Sequence, residues 1–186
     1  PESKRAKRLI KWATSLRNKA RVDACMSLAR CLGLTRPADT FDLNPWLFNC
    51  ANGTLDLLAG TLQPHRREDF LTRLSPVTYD PNARDDRWER FLLDALGGDV
   101  DLVAFLQRSV GYSLTGATYE EKLFMVLGRG GSGKSTFLEA IRASMGEYAR
   151  VTESETILTK GGGQGGNPSP EVAALAGARF VVASEM

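Results

Sequence analysis

A glycine-rich segment in the second half of the chain has the residue types and spacing needed to hold a nucleoside triphosphate. Residues 128–135 read GRGGSGKS and fit the pattern G-x-x-x-x-G-K-[ST], which Thr136 extends. Glycines let backbone N–H groups turn toward a phosphate, and a helix that starts near Lys134 adds its positive end. We expect Lys134 to contact the β- and γ-phosphates and the Ser135 hydroxyl to ligate Mg²⁺. The pattern predicts a site for ATP and Mg²⁺ formed by Gly128, Gly130, Gly131, Ser132, Gly133, Lys134, Ser135 and Thr136.

An apolar run near the end of the sequence supplies a candidate carboxylate for the same site. Residues 180–183 read FVVA, and Ser184 and Glu185 follow them. In a phosphate-loop ATPase, an acid at the end of a neighbouring strand polarises the attacking water or holds the Mg²⁺ shell. We therefore predict that Glu185 is the general base and a second magnesium ligand, with Lys134 as the other catalytic residue. Many buried strands end in Glu without any such role, so this assignment depends on the preceding phosphate loop.

The elements around these residues follow an α/β pattern. The continuous apolar run LFMVL at residues 123–127 is typical of a buried parallel strand placed before the loop. A helix with apolar residues from Phe137 to Met145 is expected to follow the loop and to end at Gly146. Residues 161–170 are rich in Gly, Asn, Pro and Ser, which predicts a loop.

The first two thirds of the chain read differently. Asn52-Gly53 between short alternating runs predicts a three-stranded meander near residues 46–63. Asp85 or Asp86 can cap a helix that Gly97-Gly98 ends, and Asp99 can cap the next one. Residues 3–34 show helical spacing, which indicates two helices or one broken helix. We expect Trp12, Cys25 and Cys31 to pack in a core.

Composition excludes several classes of protein. The 186 residues are 42% hydrophobic and 25% charged with a net charge of +2, which is unlike a disordered, collagen-like or coiled-coil chain. Three cysteines and one histidine, His65, cannot form a paired disulfide framework or a four-ligand zinc site. No apolar run is long enough for a membrane span, and the basic start is too broken for a signal peptide. We expect a soluble, cytoplasmic protein.

The charges are unevenly distributed along the sequence. Residues 1–36 carry a local charge of +8, and the remaining residues carry −6. This asymmetry indicates either a segment that binds an anionic polymer or an ordinary solvated helix face, and the sequence leaves both interpretations open. Because the chain begins at Pro1 and stops at Met186 directly after an apolar run, we also expect it to be a piece of a longer protein.

The run of residues 48–65 resembles a known signature. FNCANGTLDL followed by GTLQPH is similar to the "NG-x-LDL-x-x-G-x-L-x-PH" signature of phage and plasmid primase-helicases, which are superfamily 3 helicases related to the poxvirus primase-helicase. The YDPNA segment at 79–83, Trp88, Gln107, the GYSLTG segment at 111–116, the phosphate loop and residues 179–185 follow in the family's order. Ser132 stands where family members often have Asn.

This resemblance implies an ATP-dependent helicase that assembles as a ring, usually a hexamer, and translocates on single-stranded DNA. It implies a helical accessory domain over residues 1–116 and the N-terminal half of an AAA+-like domain over residues 117–186. Family members often carry a primase domain upstream, which here would precede Pro1, and the family's sensor and arginine finger would follow Met186. Two alternatives remain: a non-catalytic nucleotide-binding module for oligomerisation or DNA loading, and a metabolic ATPase or kinase, which the basic segment and the signature disfavour.

Overall fold

The computed structural model describes residues 2–33, 35–157 and 170–184 and divides the chain into two compact units. The first unit comprises Pro1–Thr40 and the second Phe41–Met186. Helices and strands are mixed, in agreement with the predicted α/β class. Among the described residues, no helix combines the length and the apolar character that crossing a bilayer requires.

The first unit consists of two helices and a short 3₁₀ turn. Helix α1 spans Glu2–Leu16 and α2 spans Lys19–Cys31, with the 3₁₀ turn at Ala38–Thr40. Asn18 separates the helices because its side-chain oxygen accepts a hydrogen bond from the Ala20 N–H at 3.0 Å and so begins α2. This confirms the two-helix interpretation of residues 3–34.

Apolar side chains of the first unit are exposed, which corrects part of the sequence interpretation. Trp12 is 61% exposed, and both Cys25 and Cys31 are exposed. The expectation that these three residues fill a core is therefore wrong for the described chain. Helical periodicity predicts which apolar residues share a helix face, but two helices alone offer too little partner surface to cover such a face.

The second unit begins with the predicted meander. Strands β1 (Leu47–Cys50), β2 (Gly53–Asp56) and β3 (Thr61–Gln63) form an antiparallel sheet in the order β1-β2-β3. Cys50 pairs with Gly53, so the tight turn consists of Ala51 and Asn52, one residue earlier than the Asn-Gly pair suggests. Gly53 is needed for space, since a Cβ there would lie 2.6 Å from the Gln63 carbonyl oxygen.

Two capped helices follow, as predicted. Helix α3 (Asp86–Ala95) begins after Asp85, whose carboxylate accepts from the N–H groups of the first turn. Helix α4 (Val100–Leu114) begins after Asp99 in the same way. Gly97 and Gly98, both at positive φ, make the turn between the two helices.

The remaining elements form a short parallel sheet and its helices. Helix α5 spans Lys134–Met145, and strand β4 (Ala149–Glu153) pairs in parallel with β5 (Phe180–Ser184). Between these strands lie α6 (Ser154–Ile157) and α7 (Pro170–Ala174). The predicted loop at 161–170 lies outside the described residues except for Pro170. Sequence analysis identified α5 and β5 but not β4.

The predicted strand at residues 123–127 is wrong for this structure. Residues 121–129 carry no helix or strand, and Leu123, Met125 and Leu127 are 71%, 76% and 85% exposed. A continuous apolar run forms a buried strand only when neighbouring strands pair with it and other elements cover both faces. In the described residues the parallel sheet has two strands, and neither pairs with this run.

One hydrophobic core joins the meander to the elements after the phosphate loop. Phe48, Cys50 and Leu55 come from the meander, and they pack with Met145, Tyr148 and Ala149. The whole core lies in the second unit, and the division between the two compact units falls at residues 40/41. The predicted boundary between an accessory domain, 1–116, and an ATPase domain, 117–186, stays a prediction.

Candidate phosphate-binding site

The predicted phosphate loop forms a turn that leads directly into α5. Gly131 and Gly133 have φ of +77° and +83°, a left-handed conformation that side-chain-bearing residues rarely adopt. Helix α5 begins at Lys134, so the N–H groups of its first turn face the loop without preceding helical carbonyls. The loop therefore presents backbone donors and the positive end of a twelve-residue helix on one side.

Lys134 extends back into this loop. Its Nζ donates hydrogen bonds to the carbonyl oxygens of Gly128 at 2.7 Å and Arg129 at 2.8 Å, and to Ser132 Oγ at 3.2 Å. Each acceptor is an oxygen with a partial negative charge, as a phosphate oxygen is, so the half-buried ammonium lies where it can exchange these partners for phosphate. The structure thus brings Gly128, Ser132 and Lys134 into direct contact.

The two hydroxyl residues after Lys134 are accessible. Ser135 and Thr136 lie in the first turn of α5 and are exposed. A hydroxyl oxygen at this place is a hard donor of the type that Mg²⁺ prefers. The residues present fit a bound ATP with Mg²⁺, because the glycines leave space beside the loop and no Cβ-sized obstacle lies near Gly130 or Gly131.

Helix α3 supports the loop from behind, a feature that sequence analysis missed. A Cβ at Gly133 would lie 2.9 Å from Phe91 Cε2, so this glycine is in close contact with the aromatic ring. One turn further along α5, the Phe137 ring stacks with Trp88 at 6.0 Å between centroids. Only the fold shows that Trp88 and Phe91 pack against the phosphate loop and its helix.

The predicted catalytic carboxylate cannot be placed relative to Lys134. Strand β5 reaches Ser184 in parallel with β4, and Glu185 lies outside the described residues. Its assignment as general base and magnesium ligand stays a prediction from the sequence.

Arg179, directly before β5, is a half-buried cation with carbonyl partners that the sequence does not reveal. Its Nη1 donates to the Leu114 carbonyl at 2.6 Å, and its Nη2 donates to the Leu47 carbonyl at 2.9 Å. The guanidinium also lies 4.8 Å from the centroid of the Tyr148 ring. Burial lowers the pKa of Arg179 from its ordinary value. The residue ties the start of β5 to α4 and to the meander.

His65 contacts the meander. Its Nδ1 lies 2.8 Å from Asn49 Oδ1, and since an amide oxygen only accepts, the Nδ1–H donates. Asn49 in turn donates through Nδ2 to the Arg73 carbonyl at 3.0 Å. His65 itself is exposed.

Comparison with known proteins connects these features to a family. A family model described as "D5 N terminal like" matches residues 2–97. "Putative helicase L207/L206" of Acanthamoeba polyphaga mimivirus is 24% identical over 74% of this chain, and "Putative helicase 121R" of Invertebrate iridescent virus 3 is 25% identical over 75% of it. In both cases the chain spans about 15% of the relative's length. These matches agree with the resemblance to primase-helicases.

Proposed function

Since the chain belongs to the D5 N terminal like family through residues 2–97, we propose that it is part of an ATP-dependent DNA helicase of the primase-helicase type. In this proposal residues 128–136 bind ATP with Mg²⁺, and hydrolysis drives movement along single-stranded DNA. The two viral relatives support it, because both carry the word helicase in their names. The match to the mimivirus protein covers 74% of this chain. Any continuous stretch of that length includes the phosphate loop, wherever in the chain it begins.

The observation that carries the proposal is the position of Lys134 at the start of α5. Its ammonium lies among the loop oxygens with the helix N-terminus beside it. Bound Mg²⁺ would neutralise part of the charge on the γ-phosphoryl group of ATP. Lys134 would hold the phosphates, Ser135 would offer its hydroxyl to the metal, and the loop glycines would let the backbone approach closely.

Replacing Lys134 tests nucleotide binding. We expect Lys134→Ala to weaken Mg·ATP binding at least tenfold, because a charge-assisted hydrogen bond contributes about 1.5–3 kcal/mol. Isothermal titration calorimetry measures the affinity, and circular dichroism checks that α5 is retained. Lys122→Ala removes an equal charge from an exposed position outside the loop and serves as the control. Equal affinities for wild type, Lys134→Ala and Lys122→Ala would contradict the proposal.

Replacing Glu185 tests hydrolysis. In a chain extended beyond Met186, we expect Glu185→Gln to abolish ATP turnover while ATP affinity stays within about threefold, because the amide cannot accept a proton from water. Turnover is measured with and without single-stranded DNA, which we expect to accelerate the wild-type rate. Nucleotide binding without DNA-stimulated turnover would instead favour the non-catalytic oligomerisation or loading module.

A further inference from the structure

Helix α1 carries four cations in one row along its surface. Lys4, Lys7, Arg8 and Lys11 have the spacing i, i+3, i+4, i+7, which places them on one face of a helix, and all four are exposed. We call these four residues the basic stripe. It spans about 10 Å along the axis at 1.5 Å per residue. This length matches about three intervals of 3.4 Å along a stacked strand, and so about four successive phosphates.

The cations of the stripe have no carboxylate partner in the part of the chain that the structure describes. Residues 1–36 contain Glu2 and Asp23 as their acids against ten Lys and Arg. Unpaired cations concentrated on one face create the positive potential that attracts a polyanion.

The residues around Leu9 and Trp12 indicate whether the polyanion is a membrane surface or a nucleic acid. Leu9 and Trp12 are 57% and 61% exposed, as on a helix that inserts into a membrane surface. Arg5, however, has the spacing i, i+4, i+7 with these two residues and so lies among them. A guanidinium between Leu9 and Trp12 opposes insertion of these two side chains into lipid, whereas it is compatible with a nucleic-acid partner.

We propose that the basic stripe binds the phosphates of single-stranded DNA, without regard to base sequence and independently of ATP. This inference rests on the proposed function and adds a DNA contact that lies outside the phosphate-loop segment. Four phosphate contacts on a single strand give a slope of about −2.8 in log K against log salt, at about 0.7 per contact. Affinity therefore falls about 50-fold between 50 mM and 200 mM salt.

Fluorescence anisotropy with a labelled oligodeoxythymidine of about 16 nucleotides tests the stripe. We expect the quadruple variant Lys4→Gln, Lys7→Gln, Arg8→Gln, Lys11→Gln to lose at least tenfold in affinity at low salt and most of the slope. Gln keeps helix propensity, and circular dichroism checks the helix. A charge-preserving variant, with Lys4, Lys7 and Lys11→Arg and Arg8→Lys, is expected to bind like wild type.

The control removes the same number of charges elsewhere. Arg66, Arg87, Arg90 and Arg108 are exposed residues of the second unit, and changing all four to Gln is expected to lower the affinity by less than threefold. Equal losses in the stripe and control variants would overturn the proposal, since binding would then follow net charge alone. Binding to phosphatidylserine vesicles but not to the oligonucleotide, lost in Leu9→Ala with Trp12→Ala, would overturn it in favour of a membrane.

One further variant distinguishes failure of this inference from failure of the proposed function. Lys134→Ala is expected to leave oligonucleotide affinity without nucleotide unchanged. Loss of ATP binding in Lys134→Ala with loss of DNA binding in the stripe variant supports both proposals. Loss of ATP binding in Lys134→Ala with DNA binding unaffected by the stripe variant overturns the inference and leaves the proposed function standing.

Discussion

Among the described residues of the second unit, Tyr148 is the most buried large side chain, with 1% of its surface exposed, and it carries a polar group into the core. Its hydroxyl accepts a hydrogen bond from the Asn49 N–H at 3.1 Å and donates to the Arg73 carbonyl at 3.2 Å. The ring stacks on Phe48 at 4.5 Å. The residue therefore satisfies one backbone group of the meander and one of the segment that follows it while it fills the core. This combination makes it sensitive both to truncation and to ionisation.

Alkaline pH is expected to destabilise the protein through Tyr148. Burial raises the pKa of its phenol above the ordinary 10.0, so above that pH the unfolded chain loses the proton first. The folded state then binds more protons than the unfolded state, and stability falls as pH rises. Urea denaturation from neutral pH upward measures this fall, and Tyr148→Phe is expected to make it shallower.

At neutral pH, Tyr148→Phe is also expected to cost about 1–3 kcal/mol, because the Asn49 N–H loses its acceptor. Tyr119→Phe is the matched control, since Tyr119 is 67% exposed. An identical alkaline loss in wild type and Tyr148→Phe would show that other groups cause it.

At the scale of elements, α3 and the phosphate loop are coupled through the contact between Phe91 and Gly133. The loop needs a left-handed residue at that point, and α3 leaves no space for a side chain there. Gly131 has nearly the same backbone conformation, but no atom lies within 4 Å of its Cβ position. A side chain at Gly131 would meet backbone strain alone, whereas a side chain at Gly133 would meet the same strain and a clash with Phe91.

Substituting these glycines is expected to give unequal losses of stability. Gly131→Ala should cost about 1–2 kcal/mol for the left-handed conformation alone. Gly133→Ala should cost about 1–3 kcal/mol more, because Phe91 must move. Urea denaturation without nucleotide measures both, and Phe91→Leu in the Gly133→Ala background should recover part of the additional loss. Equal costs at the two positions would mean that α3 does not hold the loop.

The elements that the sequence predicted correctly are those with local signals. Asp85 and Asp99 cap helices through their own neighbours in the chain, and the meander turns within a few residues of Asn52. The run at 123–127 failed because a buried strand depends on distant partners. Arg179 was missed for the same reason, since the carbonyl oxygens of Leu114 and Leu47 lie 65 and 132 residues away in sequence. In the candidate site, the motif identified Lys134 and the glycines, whereas the support from Phe91 required the fold.

At the scale of the whole molecule, the hydrophobic core crosses the domain boundary that the sequence predicts. The resemblance places a boundary at residues 116/117, yet the core combines Phe48, Cys50 and Leu55 with Met145, Tyr148 and Ala149. Residues on both sides of the predicted boundary therefore bury each other. An accessory segment that shares its core with the phosphate-loop segment can transmit strain between them, because packed interiors resist independent movement.

Fragments cut at the two boundaries are expected to behave differently. Residues 41–186 retain every residue of this core and should unfold in one cooperative transition. Residues 117–186 lack Phe48, Cys50 and Leu55, and losing three buried side chains at about 1.5–3 kcal/mol each removes about 5–9 kcal/mol. Domain stability is itself only about 5–15 kcal/mol, so this fragment should not fold alone. Thermal melting followed by circular dichroism at 222 nm and by near-ultraviolet signals measures both fragments. A cooperative transition for residues 117–186 would show that the phosphate-loop segment is an independent domain and that the shared core is dispensable.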